Sequence, residues 1–193
     1  MSDLVLVMLS YVIGSILNGI IIAKIAGLGN LRKQGSGNVG ATNVTRIGGK
    51  KLGIITAILD CLKGWIAVYI TQNFAHSGYI VALAGYMVVV GHVFSIFDKF
   101  NGGKGVATSI GVFFALDWHL CIVAITIWLI LFLLFKISSL SSLVSIFCTA
   151  VVSYFTTSRI NSLFITIIAL LIIYTHRSNI ILLLHRSEKP IPM

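Results

Sequence analysis

Blocks of leucine, isoleucine and valine, separated by short polar or glycine-rich stretches, divide the chain into seven apolar segments. They cover residues 4–26, 52–70, 79–97, 106–116, 120–135, 140–155 and 163–174. Within the blocks the apolar residues do not alternate with polar ones, which excludes a transmembrane β-barrel and predicts helices. The only prolines, Pro190 and Pro192, stand at the end of the chain, so nothing breaks the helices before them. Residues 106–116 are the hard case, because they supply about half of the ~20 residues that a spanning helix needs.

Composition agrees with the pattern. The 193 residues are 58% hydrophobic and only 10% charged, with a mean hydropathy of +1.03, outside the range of ordinary soluble domains. The length suggests a single domain over residues 1–193, an all-α polytopic helix bundle in a lipid bilayer. A net charge of +9 could point to nucleic acid. In a membrane protein it is instead the orientation signal of cytoplasmic loops, so no nucleic-acid partner is expected. Cys61, Cys121 and Cys148 all fall inside apolar runs without paired spacing and read as buried packing residues. Asp3 precedes the first run with no basic residue beside it, against a cleaved signal peptide.

Parity decides the short segment. If residues 106–116 cross, there are seven spans, the N-terminus lies outside and the C-terminus is cytoplasmic. Twelve of the 14 Lys and Arg residues then lie inside, with Arg159 alone outside and Lys63 within a span. If they do not cross, Lys136 and the basic tail move outside, against the positive-inside tendency. Seven spans are therefore expected, the short ones needing a thinned bilayer or packing within the bundle.

Three of the polar stretches carry candidate chemistry. The first, Gly35-Ser36-Gly37-Asn38-Val39-Gly40-Ala41-Thr42-Asn43-Val44-Thr45-Arg46, alternates small residues with hydrogen-bonding side chains and ends on a guanidinium. Such a segment can wrap a polar anion; the plainer reading is a hydrophilic turn. The second, Gly102-Gly103-Lys104-Gly105, opens the short apolar segment. Its backbone amides, a following helix N-terminus and the Lys104 charge together make a phosphate cradle. The plainer reading is a flexible turn with a positive-inside lysine, since the spacing is not that of a P-loop. In the third, His176 and Asn179 stand three apart and would share a helix face, while the basic ends of the tail suit a membrane-surface anchor.

Two ionisable groups lie within a span. Asp60 and Lys63 are three apart and can pair, either fixing helix packing or presenting Lys63 to an anion. His92, near the end of the third span, suits a structural hydrogen bond better than a general base. Intramembrane charges and short helices also fit a small transporter or channel for a phosphate-bearing anion. That alternative is weaker because the polar groups cluster on one side and leave little to line a path.

In order along the chain, Gly35-Ser36-Gly37-Asn38 with Gly40-Ala41-Thr42-Asn43, Asp60-x-x-Lys63-Gly64, Gly91-His92 leading to Gly102-Gly103-Lys104-Gly105, and His176-Arg177-x-Asn179-Ile180 resemble the bacterial glycerol-3-phosphate acyltransferases that use acyl phosphate as donor. The resemblance spans essentially the whole chain. It implies transfer of a fatty acyl group to the 1-hydroxyl of glycerol 3-phosphate, giving lysophosphatidic acid and phosphate, with no metal and no cofactor. It implies a multi-pass protein of the bacterial inner membrane with a cytoplasmic active site, partnered by the two substrates and the lipid bilayer, with the enzyme that supplies acyl phosphate as a candidate partner. Lys104, His176, Asn179 and Ser36 are the implied catalytic residues. Gly37, Asn38, Thr42, Asn43, Arg46, Lys63, His92, Gly102, Gly103, Gly105 and Arg177 are the implied phosphate- and substrate-binding set.

The tail departs from the family pattern. Leu182 stands where the family has arginine and Arg186 where it has glycine, while Arg177 and Glu188 match. An acyl phosphate is an activated mixed anhydride, so no covalent intermediate on a side chain is required. Positioning and stabilisation of charge at the carbonyl and the departing phosphate suffice. The proton acceptor stays open among the phosphate of glycerol 3-phosphate, His92 and His176. The His-x4-Asp motif of acyltransferases with soluble donors is absent, because Val81, Phe97 and Ala124 stand five residues after His76, His92 and His119.

Overall fold

In the computed structural model, which describes residues 2–188 and 190, every regular element is helical. Helices α1 (Asp3–Ser15) and α2 (Asn18–Ile25) together form the first apolar span. A polar loop follows, with a single 3-10 turn at Leu31–Lys33 and a short amphipathic helix, α3 (Ala41–Gly48). Then come α4 (Lys50–Phe74), α5 (Gly78–Val93), α6 (Val106–Leu116), α7 (Trp118–Phe135), α8 (Ser138–Thr156), α9 (Arg159–Thr175) and α10 (Arg177–Leu184). Among the described residues five apolar stretches are long enough to cross a membrane, and the α9–α10 pair, bent by 62°, brings the number to six when it is counted as one broken span. At 11 residues α6 is shorter than these, as its sequence implied.

The helices end where local chemistry stops them. Asp117 caps α7 by accepting from the His119 amide at 2.9 Å, and Ser158 caps α9 by accepting from Asn161 N–H at 3.2 Å. The break between α1 and α2 falls at Ile16 and Leu17, with neither Pro nor Gly at the break. It leaves the Ile16 carbonyl free of the helix ladder, and Lys63 Nζ donates to it at 2.6 Å. Helix α4 runs on through Gln72 and Asn73, which the hydropathy pattern places in a connecting loop.

With lipid outside, apolar packing alone does not hold such helices together, and close backbone approach through small residues matters more. Gly64 of α4 lies against the Thr108 carbonyl, and Gly111 of α6 against the Cys61 carbonyl, so neither position has room for a Cβ. Gln72 Nε2 then reaches the Ala115 carbonyl at 2.9 Å, so α6 runs alongside the second half of α4. Tyr11 and Ser95 hydroxyls tie α1 to the end of α5 through the Phe94 and Ser15 carbonyls, at 2.7 and 2.6 Å. The buried core includes Val68, Val88, Val112, Phe113, Leu120, Ile165, Ile168 and Ile172. Ile58, Leu133, Leu134, Val151 and Leu170 are exposed on the helix surfaces, as a lipid-facing exterior requires.

The bundle has two distinct ends. At one, Asp3 meets His76 at 2.9 Å, and Gln72, Gly78, Leu116, Ser158 and Asn161 line a cavity of about 260 Å³. The loop carrying Lys104, the start of α8, helix α3 and the tail gather at the other. All three candidate segments therefore share one end.

Candidate active site

The first loop is built around Asn43. Its side chain is fully buried, with Nδ2 donating to the carbonyls of Leu31, Gln34 and Asn38 at 3.2, 3.1 and 2.8 Å. Oδ1 accepts from the Ser36 amide at 2.9 Å. Among the predicted ligands Asn43 thus has its amide committed to holding the loop. Ser36 is exposed at the turn that Asn43 fixes, with Gly37 and Asn38 beside it half-buried. Thr42 and Arg46, four apart, share a face of α3. Thr42 Oγ1 lies 2.9 Å from Ser138 Oγ at the start of α8, and Arg46 is near enough to Lys104 to act on its charge.

The second loop returns from α5 to α6. The Gly103 amide donates to the His92 carbonyl at 2.9 Å, and Gly102 packs on the His92 and Val93 carbonyls. Gly105 has φ +88°, a left-handed conformation that glycine adopts without strain, and turns the chain into the first turn of α6. Lys104 projects between these glycines, half-buried, and its ammonium donates to Asn179 Oδ1. Burial lowers the Lys104 pKa to about 8; the nearby Glu188 carboxylate acts to raise it and Arg46 to lower it.

The tail closes over this loop. Thr175 Oγ1 donates to the Lys104 carbonyl at 3.1 Å, which fixes the bend between α9 and α10 beside the lysine. His176 is buried at that bend, its Nδ1 2.8 Å from the Ile172 carbonyl. Asn179 Nδ2 donates to both oxygens of Glu188, at 2.9 and 3.0 Å. With its amide nitrogen held there, Asn179 turns its oxygen to Lys104. Arg177 is exposed, stacks over Tyr174 at 4.7 Å and donates to the Tyr174 carbonyl at 3.2 Å.

Lys63 and His92 lie behind the second loop. Asp60 Oδ1 is 3.0 Å from Lys63 Nζ, accepts from Asn18 Nδ2 at 3.0 Å and lies 3.7 Å from His92 Nδ1. All three ionisable side chains are at most 6% exposed. Their mutual pairing fits the cost of leaving an isolated charge at this depth.

Two features of the site escaped the sequence reading. Ser138 pairs with Thr42, and Ser139 beside it is buried with no hydrogen-bond partner for its Oγ among the described residues. The available signal was the run Ser138-Ser139-Leu140-Ser141-Ser142, dense in hydroxyls for the start of a lipid-embedded helix. The second is Arg32, whose Nε and Nη2 donate to Asp98 Oδ2 and whose Nη2 also reaches the Asn101 carbonyl at 2.6 Å. It ties the first loop to the second across 66 residues of sequence.

A family model described as glycerol-3-phosphate acyltransferase matches residues 4–186. The chain is 43% identical to the glycerol-3-phosphate acyltransferase of Wolbachia pipientis subsp. Culex pipiens (strain wPip), over 98% of both proteins. It is 39% identical to that of Ehrlichia canis (strain Jake), over 96% of this chain and 97% of the relative. Two crystal structures of PlsY (YgiH), an integral membrane glycerol 3-phosphate acyltransferase, superpose on the fold. The glycerol 3-phosphate form has a TM-score of 0.94 at 39% identity, covering 100% of this chain and 96% of that one. The lysophosphatidic acid form has a TM-score of 0.89 at 38% identity, covering 98% and 95%. The match extends over the whole chain in both sequence and fold, and the chain belongs to the glycerol-3-phosphate acyltransferase family.

Proposed function

We propose that this integral membrane acyltransferase takes its acyl group from acyl phosphate and passes it to the 1-hydroxyl of glycerol 3-phosphate, at the cytoplasmic face of a bacterial inner membrane. The observation that carries the proposal is the convergence of Lys104, Arg46, the second-loop amides, His176 and Asn179 at one end of the bundle. Both substrates of such a reaction carry a phosphate, and cations with oriented amides are what an oxyanionic head needs.

Lys104 and the amides of residues 102, 104 and 105 bind the phosphate of glycerol 3-phosphate, the Gly103 amide being held by the His92 carbonyl, with Ser36, Asn38, Thr42 and Arg46 around the acyl phosphate head. His176 and Asn179 close the site, and Asn179 orients the Lys104 ammonium. Gly37 and Asn43 shape the first loop. Lys63 and His92 support the phosphate loop from behind, and Arg177 meets lipid headgroups at the rim. The hydroxyl oxygen of the acceptor attacks the acyl carbonyl carbon, the bond from that carbon to the phosphate oxygen breaks, and phosphate leaves with the electron pair. The hydroxyl proton passes to a phosphate oxygen. Arg46, with the hydroxyls of Ser36 and Thr42, stabilises the charge that grows on the leaving group.

Helix α6 makes a seventh, short crossing that starts part-way along α4, with the second loop at its cytoplasmic end. The shared cavity of Leu116 with Gln72 and Ser158 supports this reading. It puts the N-terminus outside and the tail in the cytoplasm, where the basic residues belong.

Purified protein incubated with glycerol 3-phosphate and either palmitoyl phosphate or palmitoyl-CoA tests the donor. Lysophosphatidic acid should form only with palmitoyl phosphate, with one inorganic phosphate released per product. Formation from the thioester alone would refute the assignment.

A further inference from the structure

We infer that residue 103 is glycine because the imidazole of His92 fills the space beside its Cα, and that His92 is a positioning residue that sets the placement of the Lys104 loop. The inference deepens the function proposed above and rests on the second loop being the phosphate site. A Cβ built on Gly103 would run into the His92 ring, and its three nearest heavy atoms are Nε2, Cδ2 and Cε1 of that ring. Residue 103 is buried, and its backbone is one that alanine can adopt, unlike Gly105 at φ +88°. The same histidine holds the loop a second time, by accepting from the Gly103 amide at 2.9 Å through its carbonyl.

The ring is itself held in place. His92 is 4% exposed, and its Nδ1 faces Asp60 Oδ1 at 3.7 Å, with no hydrogen-bond partner among the described residues. Asp60 is fixed in turn by Lys63 and Asn18, each at 3.0 Å, and Lys63 by the Ile16 carbonyl at the break in the first span. The chain of contacts therefore runs from that break through the buried ion pair to the imidazole and on to the loop. Truncating the ring removes the wall against which residue 103 rests, and a methyl group at 103 pushes the loop off the wall. Either change moves Lys104, the next residue, away from its partner Asn179.

A double-mutant cycle on His92→Ala and Gly103→Ala tests this. The readouts are KM for glycerol 3-phosphate, kcat and thermal unfolding, all in detergent. Each single substitution should raise KM several-fold with a smaller change in kcat. The double variant should recover, because the new methyl occupies space vacated by the ring, with a KM at least about fivefold below the product of the two single effects. His92→Ala should not rescue Gly105→Ala, whose strain is in the backbone. If Gly103→Ala alone yields no folded protein, recovery of a monodisperse double variant gives the same answer.

A double variant as impaired as the singles combined, or equally lost, would overturn the inference and leave close approach of substrate as the reason for the glycine. A His92→Ala enzyme with normal KM and collapsed kcat would also overturn it, since that is the signature of a group acting in the chemistry. The thermal cycle reads the contact without any substrate, so its failure is distinguishable from an error in the assigned reaction, which the wild-type donor assay reports.

Discussion

Raising the pH from 7 to 9 should weaken glycerol 3-phosphate binding through Lys104. In the unliganded protein, burial holds this ammonium at a pKa of about 8, below its ordinary value. Such a group is about 90% charged at pH 7 and about 10% charged at pH 9. The substrate phosphate is already a dianion across this range, its second pKa lying near ~6. A bound dianion favours the charged lysine, so only the protonated enzyme binds well, and apparent KM scales with the reciprocal of the protonated fraction. The expected rise is about tenfold between pH 7 and 9, with the bend near pH 8. Lys104→Arg keeps a charge that does not titrate, so that variant should show a flat profile whatever its absolute KM. Initial rates over a glycerol 3-phosphate series at five pH values, corrected for spontaneous hydrolysis of acyl phosphate, measure both. A flat wild-type profile, or an arginine variant that rises in parallel with it, would refute the assignment of Lys104 to the phosphate.

Two further outcomes follow from the buried charges and from the tail. Asp60→Ala strands Lys63 at 6% exposure and should destabilise the protein by roughly 3–5 kcal/mol. Asp60→Leu with Lys63→Met together should cost less than Asp60→Ala alone, as read by thermal unfolding in detergent; equal loss would mean that the pair is not the unit. Arg186 sits at φ +52°, where the family has glycine, and Arg186→Gly should stabilise the tail by about 1 kcal/mol. A lower unfolding temperature for that variant would show that the arginine side chain contributes more than its backbone costs.

The long apolar helices were legible because leucine, isoleucine and valine blocks of helical length carry their own signal, and the three polar segments do gather at one end of the bundle. What escaped depended on contacts between residues far apart in sequence. The break at Ile16 and Leu17 has no proline or glycine at it, so the carbonyl that receives Lys63 could not be foreseen. Helix α3 hides in a stretch rich in glycine and asparagine, where an eight-residue amphipathic turn looks like loop. Asn43 stood in the first loop as one polar residue among several; only the fold shows its amide spent on three carbonyls. Residue types said that His92 and Lys63 mattered, and the geometry puts them behind the glycine loop.

The proposed reaction requires three distant segments to meet at one cytoplasmic rim. After replacement of Cys61, Cys121 and Cys148, single cysteines at Ser36, Lys99, His119, Ser158 and Arg186 can be probed with a membrane-impermeant thiol reagent in intact and permeabilised cells. Positions 119 and 158 should be labelled in intact cells, and 36, 99 and 186 only after permeabilisation. Labelling of position 36 from the side opposite to 99 or 186 would contradict this arrangement.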